Sequence, residues 1–217
     1  MTTDAASPAP PAGLRESKKQ EARQLISDHA TRLFLAQGFE RTTIAEIAAS
    51  ARVAKRTVTN YFPRKEDLAL DHQDAFIASL ARTVTDRRAG ESALTALRRA
   101  FSDAVAAGEP VVGFSGPDFA RMIADSPTLS ARLRDLHDLR EAALADALAE
   151  ATGVPRDDIA PRAAAALLGA VHRTLFQRIQ ELTLAGRDDA RISSTVTAEA
   201  DSAFGMLEPS LADYAAS

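Results

Sequence analysis

With 217 residues, 46% of them hydrophobic and 26% charged, the chain has the composition of a globular protein of one or two domains. The lack of cysteine excludes a disulfide framework, a thiolate zinc site, an iron–sulfur cluster and a cysteine nucleophile. No apolar run reaches the roughly 18 to 20 residues of a membrane helix, and the opening MTTDAASPAPPAG lacks the layout of a signal peptide, so a soluble cytoplasmic protein with no membrane partner is expected. Nine Phe, two Tyr and no Trp, beside abundant Ala and Leu, favour an all-α fold over a sheet.

Residues 1–13 are Pro, Ala, Ser and Thr with almost no apolar bulk, which predicts a disordered tail. A first helix from about Ser17 to Gln37 follows, with Ala22, Ile26, Ala30, Leu33 and Phe34 on one stripe and Gly38 past its end. Thr43-Ile44-Ala45-Glu46 reads as a capping box, opening a short second helix that ends near Ser50. After a turn around Ala51 to Val53, a third helix runs from Ala54 to Tyr61. Pro63 ends it and suits the start of a fourth.

The net charge of −4 conceals a basic block: Leu14 to Lys65 carries +6 and holds all four lysines, whereas Glu66 onward carries −9. A local patch can attract a polyanion whatever the overall sign, because fields are screened beyond roughly 10 Å. Two short helices joined by a tight turn, behind a longer helix and inside a basic segment, are the ingredients of a helix-turn-helix DNA reader. The third helix offers an Arg for guanine, an Asn for adenine and hydroxyls for either. A structural helical corner with a solvated basic face is the alternative.

The run Gly38-Phe39-Glu40-Arg41-Thr42-Thr43-Ile44-Ala45-Glu46-Ile47-Ala48, followed by Val53 to Leu68 with its Tyr61-Phe62 and Lys65-Glu66-Asp67-Leu68 elements, resembles the N-terminal domain of the TetR family of transcriptional regulators. The resemblance implies a homodimer with two recognition helices in successive major grooves of a double-stranded operator. It also implies a helical C-terminal domain that dimerises and binds a small-molecule effector, no cofactor, and a place in the bacterial cytoplasm at the nucleoid. Carried onto this chain, it suggests phosphate contacts by Thr43, Tyr61 and Lys65, and base-edge reading by Lys55, Arg56, Thr57 and Asn60, with Thr59 at a further contact position. Two departures stand out: Arg52 where the turn often has Gly, and Ala54 where the recognition helix often has a Ser cap. A lost hydroxyl cap costs about 1 kcal/mol.

The domains expected are therefore 14–65 for DNA and 66–217 for dimerisation and effector. In the latter, the fourth helix carries Leu68, Phe76, Leu80 and Val84, and a fifth Leu94, Leu97, Phe101 and Val105. Past a Gly/Pro-rich break from Gly108 to Pro117 come a short helix with Phe119 and Met122, and a helix capped by Ser126-Pro127 that stops at Gly153. A long helix from Arg162 to Ala185 and a last one from Asp189 to Leu207 bring the count to about nine. The resemblance makes these last two the dimer interface, through Leu168, Val171, Leu175, Ile179, Val196, Ala200 and Phe204, with Ala163, Ala166, Gly169 and Ala170 permitting close approach. An internal core is the alternative. The −9 remainder, Arg140 for instance, is expected not to touch DNA.

No two of the four histidines have metal-motif spacing, so no metal is expected and core or pocket-wall roles are assigned to them. His137 and His172, with Phe101, Phe119, Met122 and Phe176, are the candidates for an effector pocket. No phosphate loop, GxSxG elbow or HExxH occurs, which argues against an enzyme. The function expected is a DNA-binding regulator, a repressor released by effector. The alternative is a helical interaction module or enzyme without specific DNA binding.

Overall fold

A computed structural model describes residues 12–216, with side chains from Ser17 onward; the expected N-terminal tail lies outside the described residues except for Ala12 and Gly13, which are helical. The described residues form eleven α-helices and one 3-10 turn. By its contacts the chain divides between Asp71 and His72 into two compact units.

In the first unit, α1 (Ala12–Gln37) stops at Gly38, which adopts φ +89°. Its Ile26, Ala30 and Phe34 are buried, as are Phe39, Ile47, Val58 and Phe62 of the same unit, and the Phe34 ring lies 5.0 Å from that of Phe39. The Thr43–Glu46 capping box opens α2 (Ile44–Ser50) as expected. The turn to α3 (Lys55–Tyr61) is closed by Val53 N–H donating to the Ala48 carbonyl, and it places Arg52 at φ +55°. That left-handed conformation costs a side-chain-bearing residue about 1 kcal/mol. Arg52→Gly is therefore expected to be neutral to slightly stabilising, since glycine returns part of the gain as unfolded-chain entropy. Arg52→Val, β-branched, lowers stability by more than 1 kcal/mol. Equal denaturation midpoints for the two variants would show that the turn carries no strain.

The single fourth helix expected from the sequence is two: α4 (Glu66–Ala69), one turn long, and α5 (Gln73–Thr85). The break follows from Asp71. Its backbone carbonyl accepts from Arg23 Nη2 (3.2 Å) and its carboxylate from the Ser27 hydroxyl (2.5 Å), both on α1, so the carbonyl is drawn out of a helical ladder. α4 consequently packs on α1, and the division between units falls six residues beyond Lys65.

The second unit contains α5, α6 (Ala93–Ala107), a 3-10 turn (Pro110–Val112), α7 (Pro117–Asp125), α8 (Pro127–Thr152), α9 (Ile159–Leu184), α10 (Asp189–Gly205) and α11 (Glu208–Leu211). Helix α9 begins before the expected Arg162 because the Asp158 side chain caps Ala160 N–H, while Pro161 falls in the first turn where its missing donor is harmless. The Gly/Pro-rich break is fixed by Gly113, at φ +124°, where an added Cβ would lie 3.0 Å from the Phe176 carbonyl oxygen. Gln180 Nε2 also donates to the Gly113 carbonyl. Helix α11, absent from the expected nine, lays Leu211 on the core.

The residues assigned to the dimer interface lie for the most part inside this unit. Leu168, Leu175, Ile179, Val196, Ala200 and Phe204 are at most 3% exposed within a single chain, in the core shared with Leu97, Phe101, Leu144 and Leu148, and Val171 packs against it. Side chains already enclosed by their own chain have no area left for a partner. Gly169 likewise faces inward: an added Cβ would meet the Glu141 carboxylate at 3.1 Å. The outward face of α9 presents Ala163, Ala166, Leu167, Ala170 and Thr174, and that of α10 Ser194, Thr197 and Ala198.

Candidate functional site

In the first unit, α1 and α2 form a platform on which α3 lies with Val58 buried and its other face open. Lys55, Arg56, Thr59 and Asn60 are exposed, and Thr57 and Tyr61 half-buried. Among the described residues, the Lys55, Arg56 and Asn60 side chains make no hydrogen bond or ion pair, so three donor groups stand unoccupied along one short helix. Thr59 is less free, its hydroxyl donating to the Arg56 carbonyl at 3.1 Å. No side chain caps α3 at Ala54, in keeping with the missing hydroxyl.

Two residues assigned to phosphate are otherwise engaged. Lys65 Nζ donates to the carbonyls of Phe39 (2.9 Å), Thr42 (3.2 Å) and Glu40 (3.4 Å) and sits 4.2 Å from the Phe39 ring centroid. An ammonium has three protons, and with these three acceptors Lys65 holds the α1–α2 loop to the segment after α3. The Thr43 hydroxyl donates to Glu46 Oε2 (2.8 Å) while accepting from Glu46 N–H (3.2 Å). These bonds, with Thr43 N–H first among them, hold the Glu46 carboxyl below its usual range. Arg23, which sequence reasoning did not single out, spans from the Tyr61 carbonyl (3.1 Å) to that of Asp71 and lies 4.4 Å from the Phe62 ring centroid. Arg23 and Lys65 thus brace the unit, leaving the charge on α3 for a ligand.

In the second unit, the aromatic pocket candidates fall into two groups. His137 packs edge-to-face on Phe176 and Phe76 (centroids 5.1 Å in both cases), and His172 on Phe101 (5.6 Å) and Phe204 (5.4 Å). Met122 is buried in α7, which packs on α8 and α9; Phe119, half-buried on that helix, makes no ring contact with either group. Phe204, assigned to the dimer, belongs with His172. Arg140 is buried: it is 4% exposed, its Nε donates to Ser79 Oγ (2.8 Å), and its guanidinium lies 4.4 Å from the Phe76 centroid. The sequence did carry a signal for it, since Arg140 occupies the position between Leu136 and Leu144 where the apolar stripe of α8 lacks a leucine. The other histidines are not core residues: His29 is half-buried and bonded to the Ser50 hydroxyl (2.8 Å), and His72 is exposed. A surface depression of 460 Å³ lined by Leu94, Thr95, Arg98, Arg99, Ser102, Glu208 and Ala212 includes none of the candidates, and its arginines are already paired with Asp201, Glu208 and Glu91.

Residues 26–71 match the family described as bacterial regulatory proteins, tetR family. Over 169 residues the chain is 32% identical to the HTH-type transcriptional regulator TcmR of Streptomyces glaucescens, covering 75% of each. The chain belongs to the TetR family of transcriptional regulators. Solved TetR-like structures agree in fold. Salmonella enterica GusR superposes with a TM-score of 0.52 at 18% identity, covering 88% of this chain and 95% of that one. Pseudomonas aeruginosa NalD, described as the secondary repressor of an efflux pump, gives 0.53 at 16% identity, covering 86% and 97%. SmeT, solved with triclosan, gives 0.52 at 21% identity, covering 85% and 91%. This TetR-family chain is accordingly all-α, with an N-terminal helix-turn-helix, and a DNA-binding regulator. No helix among its described residues is long and apolar enough to cross a membrane.

Proposed function

We propose that this regulator is a homodimeric repressor that reads a palindromic operator through α3 and is released by a small molecule bound in the second unit. The observation that carries the reading is the row of unoccupied donors on α3, Lys55, Arg56 and Asn60, on a unit whose remaining inward cations are committed to its own carbonyls. Base edges and phosphates are the ligands that such donors fit. The dimer uses the outward face of α9 and α10, where Ala163, Ala166, Ala170 and Ala198 permit close helix approach around Leu167. The effector site lies among the two histidine–phenylalanine groups, where Nε2 of His137 and of His172 is buried without a hydrogen-bond partner. Helix α5, which carries Phe76 and Ser79, begins two residues after Asp71, which Arg23 and Ser27 hold to α1. An effector that displaces α5 thereby alters the spacing of the two recognition helices, which must match a groove repeat of about 34 to 36 Å.

The experiment compares Arg56→Ala and Tyr61→Phe on operator and on scrambled DNA at one salt concentration. Arg56→Ala costs the operator about 1 to 3 kcal/mol more than scrambled DNA, because a base-edge contact is lost. Tyr61→Phe weakens both equally, because a phosphate contact is lost. Equal losses for Arg56→Ala on both DNAs would make it a backbone contact and leave specificity to Lys55, Thr57, Asn60 or DNA shape. Reversing exposed Arg134 of α8 leaves the salt slope of about −0.9 per phosphate contact unchanged.

A further inference from the structure

The chemical class of the effector follows from the polar groups buried in the second unit, granted that the effector site lies there. Arg140 is a buried cation without a carboxylate: among the described residues none lies within ion-pair distance of it, and the acids nearby on its own helix, Asp138 and Glu141, are bonded to Arg173 instead (2.8 and 3.5 Å). Its one hydrogen bond, to Ser79 Oγ, is to a neutral hydroxyl that in turn donates to the Phe76 carbonyl (2.7 Å). Buried charges are ordinarily paired, because leaving water without a counter-ion is expensive.

Two further buried groups of this unit are unsatisfied, one of them, His137, on the same Phe76 ring as Arg140. His137 and His172 are 6% and 4% exposed, and Nε2 of each is buried without a hydrogen-bond partner. Burial, reinforced by the Arg140 charge, holds both rings neutral: His137 is pushed down to about 4 and His172 well below its ordinary value. A neutral imidazole can carry its proton on Nε2 and donate from it. Burial also lowers Arg140 to about 9, which leaves it a cation at pH 7.

We infer that Arg140, His137 and His172 form the binding site for the acid group of an organic anion, such as a carboxylate, whose apolar body lies among Phe76, Phe101 and Phe176. An anion neutralises the guanidinium and accepts from the idle ring nitrogens, whereas a neutral ligand leaves Arg140 unpaired and a cation adds repulsion. Of these three rings, Phe76 is the half-buried one.

The test uses the full chain, with benzoate and its neutral isostere benzamide as probes, followed by proton NMR of the imidazole signals; His29→Gln and His72→Gln assign the two that remain to His137 and His172. Benzoate is expected to shift both signals saturably and to bind about tenfold or more tightly than benzamide. Arg140→Met, which keeps the stem and removes the charge, abolishes that preference. Equal binding of the two probes, no shift with either, or retained preference in Arg140→Met would overturn the inference, and the wild-type comparison decides it even if the variant does not fold. Operator release, followed by anisotropy with a panel of neutral and charged aromatics, separates this from the effector reading. Release by neutral compounds without benzoate binding removes only the anion site, while benzoate binding with no compound releasing DNA removes only the effector role.

Discussion

Phe204→Asp and Leu175→Glu yield unfolded or insoluble protein, whereas Leu167→Glu yields a folded monomer. Phe204 is fully buried and packs edge-to-face on Phe101 and His172, and Leu175 is 3% exposed in the same core. Truncating such a side chain alone costs about 3 to 5 kcal/mol. Adding an unpaired carboxylate to the interior brings the loss into the range of a whole domain's stability, roughly 5 to 15 kcal/mol. Leu167 lies on the opposite side of α9 and is 46% exposed in one chain, so a glutamate there is solvated in the monomer and becomes costly only when a second subunit covers it. Sedimentation velocity and circular dichroism measured together decide between these outcomes. A Leu167→Glu protein that remains a dimer of unchanged affinity would place the interface on another surface, and a folded Phe204→Asp monomer would restore the core of α9 and α10 to it.

Acidification below pH 6.5 removes several kcal/mol of stability, and most of that loss disappears when His137 and His172 are replaced together by neutral residues. Both imidazoles are neutral in the folded protein because burial disfavours their charged form; toward His137, Arg140 and Arg173 add repulsion and Asp138 opposes it, and toward His172 the repulsion comes from Arg140 and His137. Their folded values lie below the unfolded value of about 6.5, so between the two the unfolded chain binds more protons and stability rises with pH. The contribution is whole above pH 6.5 and is lost as pH falls. With His137 at about 4, its share reaches about 3 kcal/mol at the acid end of that window. Urea titrations at pH 7.5, 6 and 5 on wild type and on the His137→Gln/His172→Gln pair measure this. Parallel pH dependence in the two proteins would mean that other groups carry the acid sensitivity.

The helix-turn-helix was legible because its signals are local. Thr43 and Glu46 cap α2 across three residues, Gly38 takes the positive φ that ends α1, and Pro63 bars α3 from continuing. The split of the fourth helix was not legible. Nothing in Leu70-Asp71-His72 forbids a helix, and the break arises because Arg23 and Ser27, more than forty residues earlier, take the Asp71 carbonyl and carboxylate. The setting of Lys65 was not legible for the same reason: in the sequence it is a lysine in a basic segment, and the three carbonyls gathered around it come from residues 39–42.

The sequence by itself determined the all-α class, the order and approximate ends of most helices, and the TetR-like reading unit, because capping, helical periodicity and turn chemistry act over three or four residues. The tertiary structure alone decided which apolar stripe faces inward and which donors remain free. A helix such as α9 carries Leu168 and Leu175 on one side and Ala166, Leu167 and Ala170 on the other, and the sequence lists both as apolar. Packing of α8 and α10 against the first side spends its area inside the chain and leaves the second exposed. Arg140 shows the same division: its place in the apolar stripe of α8 was written in the sequence, but its lack of a counter-ion depends on Arg173, a helix away, holding Asp138 and Glu141. Charge pairing between helices is set by three-dimensional proximity, which helical periodicity does not encode.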